Sequence, residues 1–194
     1  LVKHLSHVNG WWRMTAQKEI ILRQDLSVVS ALKNLAKTGV GIGRVHAMWS
    51  LEGLGQAGSE FSLSLLNDND YRVRQTAIRL LEPIFQSGDD AHLIKVAQLL
   101  DDENPRVVAQ VINSIQYLRS PDANDQIFAA IIANDENDLI QSVGRLALNG
   151  NKGSRGSRNS ALLTAKGLRS FKKGRDIYNS LCMACHGKDG EGRQ

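Results

Sequence analysis

The residues with the most chemistry in them lie close to the end of the chain, at Cys182-Met183-Ala184-Cys185-His186. Both cysteines of the 194-residue sequence are in this run. A C-x-x-C-H spacing is the attachment signal of a c-type haem. On one helical turn Cys182, Cys185 and His186 stand at i, i+3 and i+4, so two thiolates can add to the haem vinyl groups while the imidazole reaches the iron as proximal ligand. Three other readings compete. A zinc half-site uses the same C-x-x-C but needs two further Cys or His ligands at finger-like distance, and His4, His7, His46 and His92 form no second cluster in the sequence. A thioredoxin-like redox pair would follow a strand in a βαβ setting, which the sequence does not offer. The last is two incidental cysteines beside a histidine.

The flanks weigh against the incidental pair. Gly174, Tyr178, Cys182, Cys185 and His186 are followed by Gly187-Lys188-Asp189-Gly190-Glu191-Gly192. This order resembles the first helix and haem-binding loop of class I cytochromes c, over about the last two dozen residues. The resemblance implies covalent haem c on Cys182 and Cys185, with His186 on the iron and Gly174 and Tyr178 packing the first helix against a later one. It also implies a second axial ligand, usually a methionine, from a loop several tens of residues beyond the histidine. Met14 and Met48 lie far upstream, and Met183 sits inside the attachment loop. Residues 168–194 are therefore expected to be the N-terminal part of a truncated cytochrome c domain, with haem absent or held by one axial ligand in this chain.

The elements that would have to carry this segment come before it. At 42% hydrophobic content the chain can bury a real core. No run of eighteen apolar residues exists to span a membrane, and LVKHLSHVNGWW lacks the regions of a signal peptide. The missing initiating Met and the abrupt end suggest an internal piece of a longer protein. Residues 1–150 hold 14 Lys and Arg against 17 Asp and Glu, whereas 151–194 hold 10 against 3. The basic tail reads first as a solvated linker, then as a dock for an acidic redox partner, and last as a nucleic-acid segment, since no aromatic residue is interleaved before Phe171.

Residues 10–150 show apolar spacing of period 3.6 broken by polar turns, which predicts an all-α repeat structure. The repeats align on Arg13, Ala16, Ile20; Arg44, Ala47, Leu51; Arg74, Ala77, Leu81; Val108, Val111, Ile115; and Gln141, Gly144, Leu148, at offsets of 31, 30, 34 and 33 residues. The turns Asn67–Asp70, Asp101–Asn104 and Asn134–Asn137 are expected to cap the helices that follow. Partner helices are expected at Ser27–Ala36, Glu60–Leu66, Asp90–Leu100 and Asp122–Ala133, giving about five helical hairpins that bury their apolar stripes only by stacking. With Asp68, Val73, Arg74 and Ala77 in the D-x-x-x-x-V-R-x-x-A pattern, this resembles a HEAT-repeat α-solenoid. Pro105 fits a first helical turn, and Pro83 should kink or end the segment Tyr71–Gln86.

Other residues invite weaker readings. Trp11 and Trp12 are expected to pack against whatever precedes them rather than bind a ligand. Gly39-Val40-Gly41-Ile42-Gly43 follows a helix and lacks an acidic partner, so it reads as an inter-helix turn, and Gly150–Ser154 has the wrong spacing for a Walker loop. His46, near Trp49, reads as a packed or capping histidine, and Glu52 and Glu82 as partners of arginines in adjacent repeats. From Asn149 to Gly167 Gly, Ser, Asn and basic residues replace the helical pattern, which predicts a poorly ordered linker at 151–167 between the solenoid at 1–150 and the haem segment.

The whole order, WWRMTAQKEIILRQD, RVHAMWSLEGLG, VRQTAIRLLEP, linker and GRDIYNSLCMACHGKDGEG, resembles the exported haem-binding CxxCH proteins of the PVC type, in which a β-propeller precedes HEAT repeats and a C-terminal cytochrome c. That resemblance implies electron transfer in a periplasmic or otherwise exported compartment, with a preceding dehydrogenase domain or a redox protein as partner. The segment itself would be a scaffold positioning the haem, not a catalyst. A second hypothesis is a HEAT interaction module with no redox role, and the short repeats also resemble HEAT-like bilin lyases.

Overall fold

An α-helix leaves its first amide groups without intrahelical partners, and the polar turns of this chain supply them. The computed structural model describes residues 1–150 and 173–183. In it Asn9 accepts from the Trp11 amide at 2.9 Å and opens α1 (Gly10–Arg23). Asp70 accepts from Arg72 to open α5 (Tyr71–Leu80), and Asn104 accepts from Arg106 to open α8 (Pro105–Ile115), both at 3.0 Å. Asn137 accepts from the Ile140 amide at 3.2 Å at the start of α10 (Asp138–Gly150). All three acidic turns thus cap the following helix.

The remaining helices are α2 (Val29–Thr38), α3 (Ile42–Gly53), α4 (Ser59–Leu63), α6 (Glu82–Gln86), α7 (Leu93–Ala97) and α9 (Pro121–Ala133). Short 3-10 turns fall at Val2–Ser6, Leu26–Val28, Gln98–Asp101 and Gln116–Leu118. No strand occurs among the described residues. Helices α1, α3, α5, α8 and α10 pack in succession as one layer, and α2, α4, α7 and α9 pair with α3, α5, α8 and α10. The 3-10 helix Val2–Ser6 takes the partner's place for α1. This is an all-α solenoid of five stacked pairs.

The period-3.6 stripes account for its interior. Ile20, Leu32, Leu51, Ile78, Leu81, Phe85, Ile112, Ile115, Ile127 and Ile140 are almost wholly removed from water. Burying each contributes about 1.5–3 kcal/mol, which offsets the ordering cost of hairpins too short to stand alone. Pro83 does end a helix: α5 stops at Leu80 and α6 starts at Glu82 with the proline in its first turn, where no amide is needed. Gly39 closes α2 by donating to Leu35 O at 2.9 Å, and Gly41 turns the chain into α3 at φ +60°, a region that excludes most side chains.

Two partner helices are shorter than their apolar pattern suggests. The segment 60–66 is α-helical only to Leu63, and Leu65 and Leu66 follow with i→i+3 bonds to Ser62 and Leu63. The segment 90–100 holds α7 and then the 3-10 turn Gln98–Asp101. Tight winding delivers Leu65, Leu66, Leu99 and Leu100 to the core, so burial rather than helical propensity sets these geometries.

By internal contacts the chain divides into two units, Leu1–Asn151 and Lys152–Gln194. The expected linker at 151–167 lies outside the described residues. Among the described residues no helix is long and apolar enough to cross a membrane.

Candidate functional site

Within the second unit residues 173–183 are helical, and the turn Tyr178–Cys182 is wound as a π-helix. Single π turns interrupt α-helices and concentrate at functional sites. Cys182 closes this turn with a free, partly accessible thiol, and Ile177, Leu181 and Met183 around it are exposed. A Cβ on Gly174 would meet nothing within 4 Å. Cys185 and His186 lie outside the described residues, so of the expected haem-binding set only Cys182 is placed.

In the first unit the aligned arginines turn out to be the clamps of the array. A guanidinium offers five donors in a rigid fork, enough to hold a carboxylate and backbone carbonyls together. Arg44 on α3 donates to Ala36 O at 2.8 Å and Lys37 O at 3.2 Å, and grips both carboxylate oxygens of Asp68 in the next turn. Arg74 on α5 repeats the arrangement one unit later. It donates to Asp68 O at 2.7 Å and Asn69 O at 3.2 Å, and forks onto Asp102 with two bonds of 2.7 Å. Asp68 therefore takes an arginine on its carboxylate and the next arginine on its carbonyl. The chain of contacts runs Arg44, Asp68, Arg74, Asp102 across three turns.

Burial pushes the Asp68 carboxyl up, but the Arg44 fork and the Asp70 amide outweigh it and hold the group below the usual carboxylate range. Asp102 raises the Arg74 value above that of a free guanidinium. Gln141 keeps the carbonyl half of the device in α10, donating to Ile131 O at 2.7 Å and Asn134 O at 3.0 Å. At α8 the register residue is Val108, and Asp135, one repeat past Asp102, is exposed. The ion-pair ladder stops there.

At the other end Arg13 donates to His7 O at 2.7 Å and Val8 O at 2.9 Å, and its Nε reaches His46 Nε2 at 3.3 Å. His46 Nδ1 stands 2.6 Å from Gln17 Oε1. An acceptor at Nε2 and a donor at Nδ1 is the neutral tautomer, so His46 joins α1 to α3 only while uncharged. It is a packed histidine, as the sequence suggested. Burial and then the Arg13 charge lower its pKa from the ordinary value near 6.5. The unfolded chain takes up this proton before the folded one does, so stability is whole above about pH 6.5 and falls as pH drops toward the depressed folded value. Urea midpoints measured between roughly pH 7.5 and 5 should fall on acidification in the parent chain, and His46→Gln should flatten that fall.

Residues 59–149 match the family model of HEAT repeats. Over this segment, 91 of the 194 residues, the chain is similar to HEAT repeats. No curated protein matches the chain significantly. Inside the HEAT segment one polar group is more deeply placed than its sequence suggested. Glu82, 6% exposed, accepts from Gln110 Nε2 and Ser114 Oγ of α8, both at 2.9 Å, while Arg79 of its own turn lies 3.6 Å away. The expected arginine of an adjacent repeat is replaced by neutral donors, which satisfy a buried carboxylate without a second ion to desolvate. Glu52, its register equivalent before the HEAT segment, is exposed and has no ion pair among the described residues. Asp68 and Asp102 were legible as turn residues but not as arginine acceptors. The signal was there: each stands two residues before the capping residue, 24 or 28 residues after an aligned arginine.

Proposed function

We propose that this chain is a HEAT scaffold that carries covalently bound haem c on Cys182 and Cys185, with His186 as proximal iron ligand, for electron transfer in an exported, oxidising compartment. The run Cys182-Met183-Ala184-Cys185-His186, preceded by Gly174 and Tyr178 at cytochrome-like spacing, carries the reading. Of the residues this group would need, Cys182 lies among the described residues. Cys182 and Cys185 would hold the group through thioether bonds, which would require a free thiol at each position; the Cys182 thiol is free. When bound, haem supplies a one-electron couple whose potential depends on its ligands and burial. A redox protein or a dehydrogenase domain would be the partner.

The test is covalent retention. Matured with the haem-attachment machinery, the chain should stain for haem on a denaturing gel, and Cys182→Ala with Cys185→Ala should abolish the stain. His186→Ala should leave covalent porphyrin but alter the visible spectrum. A mature chain that never acquires porphyrin would end this reading. The second reading, a docking scaffold for another protein, is favoured by exposed Phe128 and Ile132 on α9 of the HEAT segment.

A further inference from the structure

Charge in the first unit is sorted by layer. Residues 1–150 carry more Asp and Glu than Lys and Arg, yet α5 and α8 contain no acidic residue and hold Arg72, Arg74, Arg79 and Arg106. From Asp68 to Glu136 every carboxylate lies in a turn or on α6 or α9. Arg74 is buried in the ladder, while Arg106 is exposed and the Arg72 and Arg79 side chains are 41% and 53% exposed. Arg72 and Arg79, at i and i+7, share one stripe of α5. Arg106 takes the place of Arg72 one repeat later, and its Nη1 donates across to Tyr71 Oη at 3.3 Å. On α10, packed beside α8, the same two positions hold Leu139 and Leu146, 43% and 52% exposed. One side of three successive helices thus passes from arginines to leucines.

We infer that this face docks an acidic segment of a partner protein that carries aliphatic side chains at one end. The arginines are placed against local preference: Arg72 and Arg106 are each the second residue of a helix, where the dipole disfavours a cation. Asp70 offsets this for Arg72 with bonds of 2.9 and 2.7 Å, but Arg106 follows the neutral cap Asn104 and has no ion pair among the described residues. Packing alone gives no reason for a cation there. Both guanidinium carbons lie 6.0 Å from the Tyr71 ring centroid, so the pair is held ready and a carboxylate need not order it. With neighbouring helix axes about 8–10 Å apart, the distance from α5 to α10 is roughly 16–20 Å, spanned by about six extended residues. Carboxylates would meet Arg72, Arg79 and Arg106 while aliphatic side chains cover Leu139 and Leu146. A phosphate polymer would satisfy the arginines and leave both leucines in water, which favours the acidic peptide. The contact requires neither cysteine, so it stands apart from haem attachment.

The probe is a fluorescein-labelled peptide, Glu-Asp-Glu-Ser-Leu-Gly-Leu, titrated with the full chain in reducing buffer. A Kd on the order of 100 µM is expected at about 50 mM salt, weakening about threefold at roughly 300 mM. Arg106→Glu should weaken binding about tenfold with an unchanged circular dichroism spectrum, Leu146→Ser about twofold, and Arg23→Glu on α1 not at all. Amide resonances that shift on titration with unlabelled peptide should map to residues 72–79, 106–113 and 139–146. Shifts confined to the basic residues 151–194, binding indifferent to Arg106→Glu, or no binding at about 1 mM chain would each overturn the proposal. So would tighter, Arg106-dependent binding of an oligodeoxythymidine, since that would give the face to a nucleic acid.

Discussion

Replacing Arg74 with alanine is expected to destabilise the first unit by about 3–5 kcal/mol, the cost of removing one member of a buried ion pair. The Arg74 and Asp102 side chains are 9% and 5% exposed, so solvent cannot replace the lost fork. The change also leaves the Asp68 and Asn69 carbonyls without this donor. Arg72, two residues earlier, makes a similar-looking pair with Asp70, but its side chain is 41% exposed and the loss of Arg72 should cost less than about 1 kcal/mol. The contrast separates burial from ion-pair count. Because stacked repeats hold together mainly through neighbouring interfaces, Arg74→Ala should also split the denaturant transition in two, with α8–α10 uncoupling from α1–α5. Equal midpoints for Arg74→Ala and Arg72→Ala in urea would refute this account.

Gly43→Val is expected to cost about 1–3 kcal/mol, through overpacking and not through backbone strain. A Cβ at this position would lie 2.2 Å from Ser6 Oγ and 3.0 Å from Ser6 Cα. Rotating the hydroxyl cannot relieve the second contact. The 3-10 helix Val2–Ser6 must move outward, drawing Leu5, fully buried, out of the core. The damage should therefore be local: amides of residues 2–7 should exchange faster with solvent and that segment should be cut sooner by protease. Adding Ser6→Gly to Gly43→Val should recover only part of the loss, because it removes the hydroxyl and Cβ but leaves the Cα in place. Unchanged exchange in residues 2–7 of Gly43→Val would show that the close approach carries no energetic weight.

These two positions differ in how far sequence alone reaches. Arg74 stands out in a linear reading because it recurs one repeat after Arg44, but its acceptor lies 28 residues further on, among residues that look like caps. Gly43 reads only as part of a Gly-rich turn, since nothing near it announces Ser6 across the gap. His46 was legible as a packed histidine, while its partners Arg13 and Gln17 come from a helix about thirty residues earlier. At the cysteine segment the motif was wholly legible, and the π turn ending on Cys182 was not, because an i→i+5 winding leaves no mark on apolar spacing.

Most helix positions, the turns that cap α5, α8 and α10, the repeat of thirty to thirty-four residues and the C-x-x-C-H spacing were determined by the sequence itself, because each is read from residue types and their spacing along the chain. The tertiary structure decided the rest: which aspartate receives which arginine, that the ladder ends at Val108, that Glu82 is held by Gln110 and Ser114, and that α4 and α7 are cut short. Those outcomes belong to contacts between helices in neighbouring repeats. There shape, burial and the satisfaction of buried polar groups select the partner, and no local propensity encodes it.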